Sequence, residues 1–247
     1  MLAGISAEYY VRLERGNLRG VSEDVLDGIG RALQLDEAER LHLRDLAHAA
    51  NSTPGRRSAR RAPQDRVRPV VQRLLDSFVG VPAVVTNERL DVIAANALGE
   101  AFFAPHFDDP ARPVNNARFA FLNPRAKDFF VEWDRIADDT VAILRAQAGR
   151  DPYDKRLSDL IGELSTRSDD FRVRWARHDV KLHNHGTKRF RHPVVGDLTL
   201  DWDVFDLPGD AGQRMVTYSA ESGSPSRERL DLLASWMTTP AEATNTP

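Results

Sequence analysis

Leu198-Thr199-Leu200-Asp201-Trp202-Asp203-Val204-Phe205 alternates apolar and polar side chains at a period close to two. Successive side chains of a strand point to opposite faces, so the run predicts a strand with one face on a core and one in water. Its neighbours agree. Thr187 to His192 and Gln213 to Ser219 also read as strands, and the strand carrying the quoted run extends to Leu207. Further back, Pro82-Ala83-Val84-Val85-Thr86 and Leu90-Asp91-Val92-Ile93-Ala94 flank a turn at Asn87-Glu88-Arg89.

Between these strand groups the period changes to that of helices. Ala95 to Phe103 starts the change, and helices are expected across 117–130, 131–148, 153–165 and 168–177. Ser168 reads as the N-cap of the last of these. Val67, Val70, Val71, Leu74, Leu75 and Phe78 form an amphipathic helix ahead of the first strand. Leu230, Leu232, Leu233 and Trp236 suggest a closing helix, with a disordered tail at 239–247. Two strands, a helical insertion and three more strands make an α+β domain of PAS-like type over 66–238.

The N-terminal fifty residues have a different character. Ala3-Gly4-Ile5-Ser6-Ala7-Glu8-Tyr9-Tyr10-Val11-Arg12-Leu13-Glu14-Arg15-Gly16 reads as a turn and short helix, with Gly4 in the turn, Ser6 as N-cap and Gly16 closing it. Tyr10 and Leu13 share its apolar face, while Val11 and Arg12 look outward. Ser22 opens a second helix with apolar positions 25, 26, 29, 32 and 33, and Asp36 opens a third. Residues 1–50 therefore suit a compact all-α helix-turn-helix domain. Residues 51–65 (NSTPGRRSARRAPQD) read as an Arg-rich linker whose Arg56, Arg57, Arg60 and Arg61 suit either solvent or DNA phosphates.

The composition is that of an ordinary globular protein, with 41% hydrophobic and 29% charged residues and a net charge of −3. It is no polycation that would hold nucleic acid by charge alone. The absence of cysteine excludes disulfides and thiolate metal sites. No apolar run approaches the ~20 residues of a membrane span and no signal peptide opens the chain, so the cytoplasm is the expected compartment. Arg outnumbers Lys by 30 to 4, a bias that suits a GC-rich genome better than a chemical demand.

Residues 2–6, Tyr9-Tyr10-x-Arg12-Leu13-Glu14-x-Gly16 and Ala32-Leu33-x-Leu35-Asp36-x-Ala38-Glu39-Arg40 resemble the xenobiotic-response-element type of helix-turn-helix. The Tyr-Tyr pair resembles the MmyB-like branch of transcription regulators. The second domain carries matching blocks: Leu90 to Ala97, Asn116 to Leu122, Phe171-Arg172-x-x-Trp175-Ala176-x-His178-Asp179-Val180, Lys188-Arg189-Phe190-x-His192-Pro193 and Ser222 to Ser226. The resemblance implies a DNA-binding half and a regulatory half that takes a fatty-acid-like ligand. Because two helices precede this point in the family, it also implies that the chain is N-terminally truncated. Carried over by position, DNA reading falls to Ser6, Ala7, Glu8, Tyr9 and Arg12, with Arg15, Asn17 and Arg19 near phosphates. A homodimer is the expected assembly.

A ligand pocket needs apolar walls and a few placed polar groups. Phe102, Phe119 and Trp175, with Phe121, Phe129 and Phe130 behind them, supply the first, and Asn96, Arg118, His178 and His192 the second. The same residues also suit a plain aromatic core, with Asn96 capping a helix and Arg118 pairing with an acid. His178, His183, His185 and His192 cluster in sequence, but their loop spacing and the lack of cysteine favour structural or exposed histidines over a metal site. Asp179 and His178 with Ser165 or Ser168 lack the Gly-x-Ser-x-Gly elbow of a hydrolase, and no phosphate-binding glycine loop is present. No catalytic residue, metal or cofactor is assigned. Besides a ligand-controlled regulator, two readings stay open: a ligand-binding protein that has lost DNA binding and acts on a partner, and an enzyme.

Overall fold

A computed structural model describes residues 6–15, 20–36, 39–40, 43–44, 46–47, 66–177, 184–210 and 212–238. The linker and the tail after Thr238 lie outside them, as do Gly4, Gly16, Asn17, Arg19, His178, Asp179 and His183.

Five strands form one antiparallel sheet: β1 (Ala83–Thr86), β2 (Val92–Ala95), β3 (His185–His192), β4 (Gly196–Asp206) and β5 (Arg214–Ser219), in the order β2-β1-β5-β4-β3. The alternation along β4 is realised. Leu198, Leu200 and Trp202 are buried with Phe190, Tyr218 and Val84 in the main core, while Thr199, Asp201 and Asp203 are exposed. The second face is wet only in part. Over β1 and β5 it carries Ala83, Val85 and Met215, covered by Val71 and Leu75 of helix α3 (Pro69–Asp76). That helix is shorter than the apolar pattern suggested, and Val70 and Leu74 of the expected stripe stay half exposed.

Helices are numbered in chain order: α1 (Ala7–Glu14), α2 (Glu23–Ala32), α3, α4 (Ala97–Phe102), α5 (Ala104–Phe107), α6 (Asn116–Leu122), α7 (Ala126–Phe129), α8 (Trp133–Arg150), α9 (Lys155–Arg167), α10 (Asp169–Ala176) and α11 (Pro225–Thr238). The helix expected over 117–130 is two helices. Pro124 offers no N–H and pushes Asn123 to extended backbone (φ −93°, ψ 125°), which stops α6. Phe130 then leaves helix to bridge Phe190 at the edge of β3. The side-chain caps read from sequence form. Ser6 accepts from Tyr9 N–H, Ser22 from Val25 N–H and Ser168 from Phe171 N–H, while Asp36 and Glu39 cap each other's backbone N–H reciprocally.

Contacts divide the chain into two units, residues 63–137 with 183–247 and residues 1–62 with 138–182. This differs from the linear cut at 51–65, because α8 runs on without a break from the sheet unit into the helical one. Within the helical unit α9 buries Leu157, Leu160 and Leu164 at helical spacing and α10 buries Phe171. Leu13 of α1 and Leu26 and Ile29 of α2 are buried apolar side chains.

In the sheet unit one side chain fixes α4 to β1. Asn96, 3% exposed, accepts from Gly99 N–H at 2.7 Å and Ala83 N–H at 3.0 Å. Its amide donates to Val81 O at 2.8 Å and Phe78 O at 3.2 Å. A Cβ at Gly99 would stand 2.5 Å from Ala83 O, so the close approach also needs glycine there. Asn96→Ala removes a cap and strands buried partners, and is expected to cost about 2–3 kcal/mol in urea denaturation with the slope unchanged. A loss below about 0.5 kcal/mol would remove Asn96 from this role.

Candidate ligand pocket

The pocket is built outward from the β1–β2 turn. Leu90 takes a left-handed backbone (φ 65°), which turns Asp91 inward. The Asp91 carboxylate, in a residue 6% exposed, accepts from Arg89 at 3.1 Å, from Asn87 Nδ2 at 2.9 Å and from Asn115 Nδ2 at 2.8 Å. Asn115 Nδ2 also donates to Arg89 O at 2.8 Å, and Asn115 Oδ1 caps α6 through Arg118 N–H at 2.9 Å. Backbone hydrogen bonds of Val92 to Val114 and of Asn116 to Leu90 close the joint. The first turn of α6 is thus tied to the sheet edge, which sets where Arg118 and Phe119 stand.

Next to this joint lies a shallow concavity with room for about one water molecule, walled by His106, Asp109, Val114, Asn115, Arg118 and Phe119. Asp109 accepts from Ala111 N–H at 2.9 Å and from Asn123 Nδ2 at 3.3 Å. His106, on α5 and 2% exposed, stacks on Phe119 at 3.5 Å between ring centroids. Its Nδ1 is buried without a hydrogen-bond partner. Burial pushes its pKa down to about 3, so the ring is neutral near pH 7. An unpaired buried acceptor or donor of this kind costs about 1–3 kcal/mol.

The residues expected to line the site separate. Arg118 and Phe119 line the pocket. Phe102, fully buried, packs against Phe103, Phe129, Phe190 and Tyr218 in the filled core. Asn96 has every polar atom spent on the α4 joint, which leaves none for a ligand. His192 is also committed. Nδ1 accepts from Val194 and Val195 N–H, Nε2 faces Ala101 O at 3.2 Å, and the ring stacks on Phe102. Burial lowers its pKa, and the bond to Ala101 opposes that in part. Trp175 belongs to the helical unit, stacked on Phe171, with the Arg145 guanidinium 4.3 Å over its ring and donating to its carbonyl. His106 was not read from the sequence as a site residue, although a lone histidine inside Ala101-Phe102-Phe103-Ala104-Pro105-His106-Phe107 was a legible sign of a buried imidazole.

Of the DNA-reading set, Arg12 and Arg15 are exposed, and the Arg12 guanidinium sits 5.1 Å over the Tyr9 ring. Ser6 is occupied as the cap of α1. The side chains of Ala7 and Glu8, and all of Asn17 and Arg19, lie outside the described residues. Among the described residues no group of three or more acidic or histidine side chains is placed to hold a metal ion, and no helix is long and apolar enough to cross a membrane.

Residues 67–233 match the family model of the MmyB-like transcription regulator ligand-binding domain. The chain belongs to that family. No curated protein matches the chain. The matched MmyB-like region holds the whole sheet and every residue of the pocket wall.

The buried His106 makes stability depend on pH in a defined direction. The unfolded chain takes up a proton near pH 6.5 and the native ring only near pH 3, so the unfolded state binds more protons between them. Stability is therefore complete above pH 6.5 and falls as pH drops toward 3, by up to about 1.4 kcal/mol per pH unit from this group. Denaturation of wild type and His106→Phe at pH 7, 5.5 and 4.5 should show a shallower acid loss in the variant. Parallel curves would mean that His106 is not held neutral.

Proposed function

We propose that this MmyB-like chain is a sequence-specific DNA-binding transcription regulator whose sheet unit senses a small molecule with an anionic end. The observation that carries the reading is the pocket wall. One cation, Arg118, and one neutral imidazole, His106, stand on an apolar bed inside the region that matches the regulator ligand-binding family. The order of two strands, helical insertion and three strands supports the PAS-like reading of that unit. The capped α1, with Arg12 and Arg15 exposed in and after its last turn, supports a groove-reading helix. Bound ligand shifts the DNA-competent population only by its differential affinity for the two states, and a homodimer is the form in which two such helices would meet two half-sites.

The fatty-acid-like ligand stays within this proposal in restricted form. Pockets for drug-sized ligands measure about 300–1,000 Å³, whereas this one has room for about one water molecule. Any ligand beside Arg118 requires the walls of this concavity to move apart, and a long tail requires the aromatic core to open.

Two experiments test the two halves. Selection of duplexes from a random pool by the chain should enrich one motif. Arg12→Ala should then cost about 1–3 kcal/mol on that motif and blur the base it reads, whereas Arg15→Ala should weaken all duplexes alike. A pool that stays random refutes DNA reading by this chain. On the ligand side, Arg118→Met should keep the fold and weaken carboxylate binding at least tenfold, about 1.4 kcal/mol, in isothermal titration. Unchanged affinity takes Arg118 out of the site.

A further inference from the structure

Trp202 lies on the core face of β4, 6% exposed, and its indole Nε1–H has no hydrogen-bond partner. Nothing in the packing of the sheet accounts for a donor buried unmet. Directly across the ladder on β3 stands Gly186. A Cβ there would have Trp202 Nε1 at 3.4 Å and Arg135 Nη2 at 3.6 Å as its nearest neighbours, so the nitrogen-bearing edge of the indole faces the space that the glycine leaves. The backbone of Gly186, with φ at 148°, is one that side-chain-bearing residues rarely adopt, which keeps that space free. Arg135, in the first turn of α8, is exposed and has no hydrogen-bond or ion-pair partner among the described residues. The Lys188 ammonium sits 3.8 Å from the centre of the Trp202 ring. All four residues belong to the sheet unit, and none of them walls the concavity at His106.

We propose that these residues form a site for a phosphate-class oxyanion, with the Trp202 indole N–H and the Arg135 guanidinium donating to it across the space beside Gly186. An indole nitrogen can only donate, so the missing partner is an acceptor. What stands over that space is the far end of a long, exposed and unpaired arginine. It can turn aside to admit an anion and then pair with it, while the sheet stays as it is. Lys188 adds a second positive charge beside the indole, which favours an anion carrying about −1.5 to −2 near pH 7, as a phosphoryl group does, over a singly charged one. The donors also come from different elements, β4 and α8. Tetrahedral oxygens can meet donors from several directions, whereas a planar carboxylate is matched best by one guanidinium fork.

The four tryptophans give the full chain four indole N–H signals in ¹⁵N spectra, and these provide the test. Inorganic phosphate, titrated against potassium chloride at matched ionic strength, should shift the Trp202 signal to saturation and leave that of Trp236, exposed on α11, in place. Arg135→Gln, a change at an exposed side chain, should weaken the phosphate affinity at least about tenfold. Gly186→Ala should abolish the shift by filling the space; if its backbone strain prevents folding, Arg135→Gln alone decides. A Trp202 signal that stays put, drifts without saturating or follows chloride equally overturns the proposal, and leaves the indole met by water at most. Unchanged affinity in Arg135→Gln overturns it too, as does acetate binding as tightly as phosphate. Glycerol 3-phosphate binding more tightly than phosphate supports the site and assigns it to the phosphoryl end of a small molecule, whereas equal affinities support it as a site for the free anion.

Discussion

The buried carboxylate of Asp91 is the group on which the sheet edge and the first turn of α6 are joined. It gathers Arg89, Asn87 and Asn115 from the hairpin turn and from the start of α6, with backbone bonds on either side. Buried ion pairs contribute little net stability, because desolvation takes back most of the Coulomb gain. Their effect is specific geometry. A hydrophobic substitute for the pair could be equally stable, yet it would not bind the amide of Asn115 and so would not set the first turn of α6. Removing Asp91 alone would take a carboxylate partner from Arg89, a residue 5% exposed, and from the side-chain amides of Asn87 and Asn115, the costly case of about 3–5 kcal/mol. The pocket wall inherits its precision from this joint.

Much of this was legible in the sequence for reasons of period and local chemistry. The alternation in Leu198 to Phe205 and the caps at Ser6, Ser22 and Ser168 depend on a few neighbouring residues, and they form as read. Asn96 illustrates the limit. Its spacing marks a helix start, but only the fold brings Ala83, Val81 and Phe78 to its other atoms, so a polar residue that looked available to a ligand is consumed. His192 followed the same course. In both cases the missing information was tertiary, because the partners lie as far as 91 residues away in the chain.

The division of the chain was less legible than its elements. Helical periods in 131–177 gave no sign that a single helix would supply residues to both units. At about 1.5 Å per residue α8 is some 27 Å long, and its residues from Asp138 on belong to the helical unit with α9 and α10. A helical insertion between β2 and β3 is therefore two things. Its first part, α4 to α7, completes the core and the pocket. Its second part contributes to the unit that holds the N-terminal helices.

The aromatic side chains explain why the pocket is small. Phe102, Phe129, Phe130 and Phe190 meet edge-on or tilted at 4.9–5.9 Å and fill the space that a long apolar ligand would need. Interiors of that density tolerate little added volume. What remains is the shallow end, where Phe119 turns a ring face to His106 rather than to another phenylalanine. A phenylalanine at 106 would pack as well and remove the buried, unpaired nitrogen. Its presence costs stability at every pH and more in acid, so the packing offers no reason for a histidine there.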